Sequence, residues 1–190
     1  MTTTIDGKLK SSLVATLKER SVKIGDFTLA SGKKSTYYVD ARRTTMSAAG
    51  LDYIGQLGLA IIRAQGWSAV SVGGLTLGAD PVAYAIAVAS RRSPPVLDAF
   101  TVRKEAKGHG TGRLIEGAFE EGSSVVVVED VFTTGGSALK AVDAVRAAGG
   151  TVIGVLGVVD RMEGGIEAIR KAGIPAEALV TIRDLGITPT

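Results

Sequence analysis

The sequence predicts an α/β fold in which helices cover both faces of a mainly parallel sheet. Short apolar runs alternate with helical patterns along most of the chain. The run Val125–Val128 is fully apolar, which is typical of a strand buried on both faces of a parallel sheet. Glycine accounts for 25 of 190 residues without forming a low-complexity run, so we expect it at turns and close backbone contacts. One domain, residues 1–190, is predicted.

The first 45 or so residues do not fit this alternation and predict an appended N-terminal unit. Ile5–Arg20 places leucine and valine at helical spacing, which predicts an amphipathic helix. Phe27–Ala30 and Thr36–Asp40 flank a Ser-Gly-Lys-Lys turn and predict a β-hairpin. We call residues 1–45 the hood, and residues 46–190 are then the α/β core.

The core is predicted to alternate between helices and strands. Ser47 is suited to cap a helix that runs to about Gln65, where Gly66 would end it. The other elements, in chain order, are a strand at Ala69–Val72, a helix from Pro81 to about Ser90, a strand at Val96–Val102 after Pro94-Pro95, a strand at Val125–Val128, a helix at Ser137–Ala148, a strand at Thr151–Val159, a helix at Ile166–Ala172 and a strand at Ala178–Ile182. This order indicates βαβ units.

The composition excludes several classes of protein. The chain has no cysteine, which excludes a disulfide scaffold, a cysteine nucleophile and a cysteine-ligated metal. A single histidine excludes a multi-histidine metal site. The N-terminus is polar, and the apolar runs are far too short to cross a bilayer. We therefore expect no membrane segment and a cytoplasmic location.

The net charge of +3 is concentrated in one segment. Arg103–Arg113 carries four cations and one anion, which accounts for the whole excess. A local patch on an otherwise neutral chain suits a small polyanion better than a nucleic acid, which needs a broad basic surface. We therefore expect no nucleic-acid partner.

The segment Glu129–Ser137 predicts a sugar-phosphate site. Two carboxylates follow an apolar strand, and a Thr-Thr-Gly-Gly-Ser loop then leads into a helix. Glycines let several backbone N–H groups face one anion, and the helix N-terminus adds partial positive charge. The carboxylates suit the hydroxyls of a sugar, so the pattern favours a ribose 5-phosphate. The alternative is a strand end followed by an ordinary helix cap.

Glu129–Ser137 resembles the phosphoribosyl diphosphate signature of the type I phosphoribosyltransferases. Phe27–Asp40, Val102–Gly110 and Val158–Arg161 resemble segments of the orotate phosphoribosyltransferase family within that group. Together the similar segments span about residues 20–186. The resemblance implies a type I phosphoribosyltransferase fold. It also implies an enzyme that joins orotate to the sugar of phosphoribosyl diphosphate, giving orotidine 5′-phosphate and diphosphate in pyrimidine (UMP) synthesis.

The resemblance also implies site residues and partners. The expected catalytic residues are Arg103, Lys107, His109 and Asp130. The sugar diphosphate is expected to contact Arg103, Lys104, Lys107, His109, Glu129, Asp130, Val131, Phe132, Thr133, Thr134, Gly135, Gly136 and Ser137. Orotate is expected to contact Tyr38, Val39, Thr133 and Arg161. The resemblance further implies Mg²⁺, held mainly by the diphosphate, and a homodimer in which the basic segment reaches the partner's site.

Several local interpretations stay open. Gly73–Pro81 is either a diphosphate-binding turn or a plain turn into a helix. Only one of Tyr37 and Tyr38 can face the base, because neighbours in a strand point to opposite faces. Asp160 and Arg161 are either an ion pair or, for Arg161, a contact to orotate.

The resemblance is incomplete at two positions. Ala30 and Leu77 stand where many bacterial members of the family carry lysine, so two cations are missing.

Two other functions also remain open. One is a relative that acts on another nucleobase, and the other is a non-catalytic regulator built on the same fold.

Overall fold

The structure is a computed structural model that describes residues 6–28, 34–105 and 114–189. In chain order its elements are α1 (Gly7–Arg20), β1 (Val22–Thr28), β2 (Lys34–Val39), α2 (Arg42–Thr45), α3 (Ala48–Ala64), β3 (Ser71–Leu75), α4 (Ala79–Arg92), β4 (Asp98–Val102), β5 (Ile115–Gly117), β6 (Ser124–Phe132), α5 (Gly136–Ala147), β7 (Thr151–Asp160), α6 (Gly165–Lys171) and β8 (Ala176–Thr181).

The main sheet has the strand order β5-β4-β3-β6-β7-β8. The neighbouring strands β4, β3, β6, β7 and β8 pair in parallel. The edge strand β5 pairs antiparallel with β4. The strands β1 and β2 form a separate antiparallel hairpin in which Tyr37 lies opposite Ile24. The predicted α/β fold with a mainly parallel sheet is therefore confirmed.

Helices cover both faces of the main sheet, and the valines of β6 are buried against them on each face. Val125 and Val127 belong to the apolar cluster on the side of α5 and α6. Val126 and Val128 belong to the cluster on the side of α3 and α4. The helix α1 adds Leu13 to that second cluster. Because both faces of the strand are buried, its apolar run does not alternate with polar residues.

One predicted boundary is wrong where it matters most. The strand β6 does not end at Val128 but continues to Phe132, so Glu129 and Asp130 lie within it. Glu129 pairs with Gly157 of β7, and Val131 pairs with Val159. Backbone pairing with β7 thus continues after the apolar side chains stop.

The short elements α2 and β5 are not predicted by the sequence, because three or four residues are too few to show a periodic pattern. The predicted cap is confirmed, since Ser47 Oγ accepts a hydrogen bond from the N–H of Gly50 at 3.1 Å. The first hairpin strand begins at Val22, well before Phe27, and the predicted turn at 31–33 lies outside the described residues. Within the described ranges, no helix is long and apolar enough to cross a membrane.

Candidate active site

Four strands of the main sheet end at the same edge, and polar residues lie at or directly after the end of each one. The strands β4, β3, β6 and β7 are parallel neighbours, so their carboxyl ends lie side by side. In that spatial order the edge carries Arg103, the turn Thr76–Gly78, the segment Glu129–Ser137 and Arg161. Ligands of open α/β sheets bind at such an edge.

The loop between β6 and α5 borders a cavity of about 230 Å³. Its lining comes from the end of β6, the loop and the start of α5: Glu129, Val131, Phe132, Thr133, Thr134, Gly135, Gly136, Ser137, Ala138 and Lys140. Gly135 has φ +80°, which side chains rarely adopt, and a methyl group there would lie 2.8 Å from the Gly165 carbonyl oxygen. This turn places the N-terminus of α5 at the cavity, which suits an anion.

Glu129 lines the same cavity and is only 6% exposed. Its Oε1 accepts a hydrogen bond from the N–H of Asp130 at 3.3 Å, whereas Oε2 has no partner among the described residues. Burial raises the pKa of Glu129 to about 9, and the neighbouring Asp130 adds to the increase. A ligand that donates hydrogen bonds to this carboxyl group would favour its ionised form.

Asp130, the next residue of β6, lies beside the turn after β3. A methyl group on Gly78 would lie 2.7 Å from the Asp130 carboxyl group, so the turn packs directly on this side chain. Its Oδ1 accepts a hydrogen bond from the N–H of Val131 at 2.9 Å. The two carboxylates expected at one sugar are therefore both at the sheet edge and close to each other, since a side-chain hydrogen bond with Asp130 is one cause of the raised pKa of Glu129.

The buried Asp80, in the first turn of α4, ties the turn after β3 to β4. Its Oδ2 accepts a hydrogen bond from the Thr76 hydroxyl at 2.7 Å, and its Oδ1 accepts one from the Thr101 hydroxyl at 2.9 Å. Thr101 lies two residues before Arg103. The Asp80 carboxylate thus fixes the turn relative to the start of the basic segment, a role that sequence analysis misses.

The basic segment begins with Arg103 directly after β4. Its guanidinium lies 3.9 Å from the Glu116 carboxylate, and Lys104 beside it is exposed. Lys107 and His109 lie outside the described residues, so their expected contacts stay predictions. The structure brings Arg103 and Lys104 to the sheet edge beside the turn after β3.

Arg161 follows β7, is buried, and contacts the hairpin. Its Nη2 donates to the Tyr37 hydroxyl at 3.3 Å, and its guanidinium carbon lies 5.0 Å from the centre of the Tyr37 ring. The same Nη2 lies 2.8 Å from a carboxylate oxygen of Glu163, while Nε has no partner among the described residues. Asp160 does not pair with Arg161 but accepts a hydrogen bond from the N–H of Met162 at 2.9 Å.

The two hairpin residues expected at orotate are Tyr38 and Val39. Tyr38 points away from Tyr37, packs on Phe27 with ring centres 5.8 Å apart, and is 39% exposed. Val39 is half-buried. The structure therefore brings Tyr37 rather than Tyr38 to Arg161, and the roles of Tyr38 and Val39 stay predictions.

Two cations near the edge are missed by sequence analysis. Lys140 lines the cavity. The Nε of Arg42 donates a hydrogen bond to Asp40 Oδ1 at 2.9 Å. This contact is the main cause of the raised pKa of Arg42, and the charge of Asp130 raises it further. Arg42 thus lies within electrostatic range of Asp130. The only sequence signal for Arg42 is its position two residues after an aspartate, and for Lys140 its position four residues after Gly136.

Comparison with known proteins identifies the family. The family model of the phosphoribosyl transferase domain matches residues 72–172. A curated orotate phosphoribosyltransferase of Corynebacterium glutamicum is 49% identical over 183 residues, which cover 96% of this chain and 97% of the relative. The chain belongs to the orotate phosphoribosyltransferase family. A further orotate phosphoribosyltransferase, from Rhodopirellula baltica, is 45% identical over 181 residues, 93% of this chain and 94% of the relative.

Solved structures of orotate phosphoribosyltransferases share the fold. The Mycobacterium tuberculosis H37Rv enzyme in complex with Fe(III) dicitrate superposes with a TM-score of 0.85 at 46% identity, covering 94% of this chain and 99% of that one. The same enzyme in complex with 5-phospho-α-D-ribosyl 1-diphosphate gives a TM-score of 0.79 at 40% identity, covering 96% and 94%. The expected type I phosphoribosyltransferase fold is thus confirmed.

The first prediction concerns Asp80. We expect Asp80→Ala to lower the free energy of unfolding by about 2–4 kcal/mol, because two partly buried hydroxyls lose a charged acceptor. Asp80→Asn keeps one acceptor and should cost about half as much. Urea unfolding of each variant measures this, with the exposed Asp143→Ala as control. A loss from Asp80→Ala no larger than from Asp143→Ala would contradict the anchoring role.

The second prediction concerns the buried carboxyl group of Glu129. Its raised pKa means that the folded form holds a proton which the unfolded chain releases, so stability falls as the pH rises from about 4.5 to 9. Glu129→Gln removes this loss. We expect no change in melting temperature at pH 4.5 and an increase of at least about 2 °C at pH 8.5, measured without ligand.

The exposed Glu120→Gln is the matched control for Glu129→Gln and should have no effect at either pH. An equal shift from Glu129→Gln at both pH values would show that the pKa of Glu129 is not raised by burial.

Proposed function

We infer that this chain catalyses transfer of ribose 5-phosphate from 5-phosphoribosyl 1-diphosphate to orotate. The bond between C1 and the diphosphate oxygen breaks, a bond from orotate N1 to C1 forms, and the N1 proton is released. The products are orotidine 5′-phosphate and diphosphate, as required for UMP synthesis. The observation that carries the inference is the cavity at the N-terminus of α5 beside two carboxylates, in a chain 49% identical to a curated enzyme of this activity.

We assign the 5-phosphate of the sugar substrate to the cavity after β6. The loop Thr133–Ser137 and the start of α5 line it, and both offer backbone N–H groups to an anion. Glu129 on the same wall has an unpartnered buried oxygen that suits a ribose hydroxyl. Asp130 faces the neighbouring turn and would accept the next hydroxyl.

The diphosphate is assigned to the turn Thr76–Gly78 and the basic segment. The turn lies between the phosphate cavity and β4, and its contacts to Asp130 and Asp80 hold it there. Negative charge grows on the departing diphosphate, so fixed cations stabilise the transition state. Arg103 and Lys104 begin this cationic wall, and Lys107 with His109 would complete it. No covalent nucleophile is required.

Mg²⁺ is proposed as the cofactor. Within the described residues, no group of three or more histidine, aspartate or glutamate side chains could hold a metal ion. Mg²⁺ commonly binds substrate phosphates and water with few protein ligands, so this chain fits an ion that the diphosphate carries into the site. When bound, the ion would neutralise part of the diphosphate charge.

Orotate is assigned to the end of β7 beneath the hairpin. Arg161 is a buried guanidinium whose Nε lacks a partner, and a carboxylate is the group it binds best. The Tyr37 ring holds the guanidinium from one side. Tyr38 and Val39 of the hood would then cover the base, with Thr133 at its sugar end.

The alternatives are disfavoured by the same residues. A neutral nucleobase has no carboxylate to pair with the unpartnered Nε of the buried Arg161. A regulator without activity would not need Arg103 and Lys104 beside a diphosphate-binding turn. The homodimer also stays a proposal, supported by the exposed apolar side chains Tyr84 and Val88 on α4, and the cytoplasmic location stays a prediction.

The third prediction tests the assignment of orotate. Turnover, measured as diphosphate release, should be at least about 100-fold faster with orotate than with uracil, because uracil lacks the carboxylate that would bind the guanidinium of Arg161. Turnover with adenine, hypoxanthine or xanthine should be no faster than turnover with uracil. Equal kcat/KM for orotate and uracil would remove Arg161 from the base site.

The fourth prediction tests the shared basic segment. Lys107→Ala and Asp130→Asn should each be nearly inactive, with about 2–4 kcal/mol lost per missing contact. If the segment acts on the partner's site, each mixed dimer contains one intact site. A fully exchanged equimolar mixture should then regain about one quarter of wild-type activity.

Differently tagged chains establish that subunits have exchanged. If purified mixed dimers stay inactive, then the segment serves its own subunit or the enzyme does not act as a dimer.

A further inference from the structure

The phosphate cavity contains one cation whose role is unassigned. Among the described residues that line it, Lys140 is the only lysine or arginine. It lies in α5, after the segment Glu129–Ser137 that carries the resemblance. We propose that Lys140 is a substrate-positioning residue that binds the 5-phosphate group of the sugar. The proposal rests on the proposed function of the same cavity.

The helix geometry directs Lys140 toward the phosphate. Lys140 lies four residues after Gly136, the first residue of α5, so both lie on one face of the helix. Helical side chains lean toward the N-terminus of their helix. Gly136 has no side chain, and the atom nearest to a methyl group built there is 3.8 Å away. The lysine stem therefore has an open path across Gly136 to the cavity.

The position is electrostatically unfavourable unless an anion is bound. The N-terminus of α5 carries partial positive charge, so a cation above its first turn is repelled. Lys140 makes no ion pair within the described residues, and the first turn of α5 has no acidic residue. A phosphate at the helix N-terminus converts this repulsion into attraction for both groups.

A second observation points to a polar ligand in this cavity. Glu129, which also lines the cavity and is more than nine-tenths buried, has one carboxyl oxygen without a hydrogen-bond partner among the described residues. A sugar phosphate supplies both missing partners, since its hydroxyl groups donate to Glu129 and its phosphate accepts from Lys140. Neither inorganic phosphate nor a bare sugar supplies both.

The 5-phosphate occurs in two of the four reactants, which makes the test specific. It is present in phosphoribosyl diphosphate and orotidine 5′-phosphate but absent from orotate and diphosphate. For Lys140→Gln we expect the KM for phosphoribosyl diphosphate and the KM for orotidine 5′-phosphate each to rise about 5- to 20-fold. This is the size expected for loss of a partly exposed charged hydrogen bond. The KM values for orotate and diphosphate and both kcat values should stay within about twofold.

Matched variants and a binding measurement complete the design. Lys140→Arg should recover at least half of the lost affinity, and the exposed Lys171→Gln on α6 should match wild type. Ribose 5-phosphate should raise the melting temperature of wild type, and the concentration needed for half of that increase should rise about 5- to 20-fold in Lys140→Gln.

The outcomes separate this inference from the proposed function. If wild type turns over orotate and Lys140→Gln matches it in every KM, the inference is wrong. An equal rise in the KM for diphosphate would place Lys140 at the diphosphate and overturn it as well. If wild type does not turn over orotate, the proposed function fails, and protection by ribose 5-phosphate alone decides the role of Lys140.

Discussion

The parallel pairing of β3, β6 and β7 is the constraint on which the site depends. It aligns the carboxyl ends of strands that are far apart in sequence, so their loops meet at one edge. Glycine makes the close packing feasible at two points. A methyl group on Gly74 would collide with the Val128 carbonyl oxygen, and one on Gly157 would lie 2.5 Å from the Phe132 ring. Side chains at these positions would push the sheet and its loops apart.

Three polar groups at this edge are poorly matched by the protein and well matched by the proposed substrates. Glu129 has a buried oxygen without a partner, Arg161 has a buried N–H without one, and the exposed Lys140 lines the cavity at the N-terminus of α5. Each is unfavourable for folding on its own. A ribose hydroxyl, the orotate carboxylate and the 5-phosphate would each supply a missing partner. The chain thus gives up some stability for recognition, as is common at functional sites.

Two side-chain contacts hold the loops in register with the sheet. Asp80 joins the turn after β3 to β4, and so fixes the distance between the turn and the first residues of the basic segment. Tyr37 joins the hairpin to Arg161 at the end of β7. Glu163 already pairs with that guanidinium, so a bound orotate would share it or replace Glu163. Both contacts place rigid elements around the sheet edge rather than contributing to the reaction itself.

The sequence by itself determined the α/β class, the order of most core elements and the position of the glycine-rich loop before α5, because these depend on local periodicity and on residues close together in the chain. It did not determine that β6 extends through Glu129 and Asp130, since that depends on pairing with β7. Only the tertiary structure decided that Tyr37 contacts Arg161 and that Asp80 anchors a distant threonine. Each of these contacts joins residues from separate elements, so no pattern along the chain could specify them.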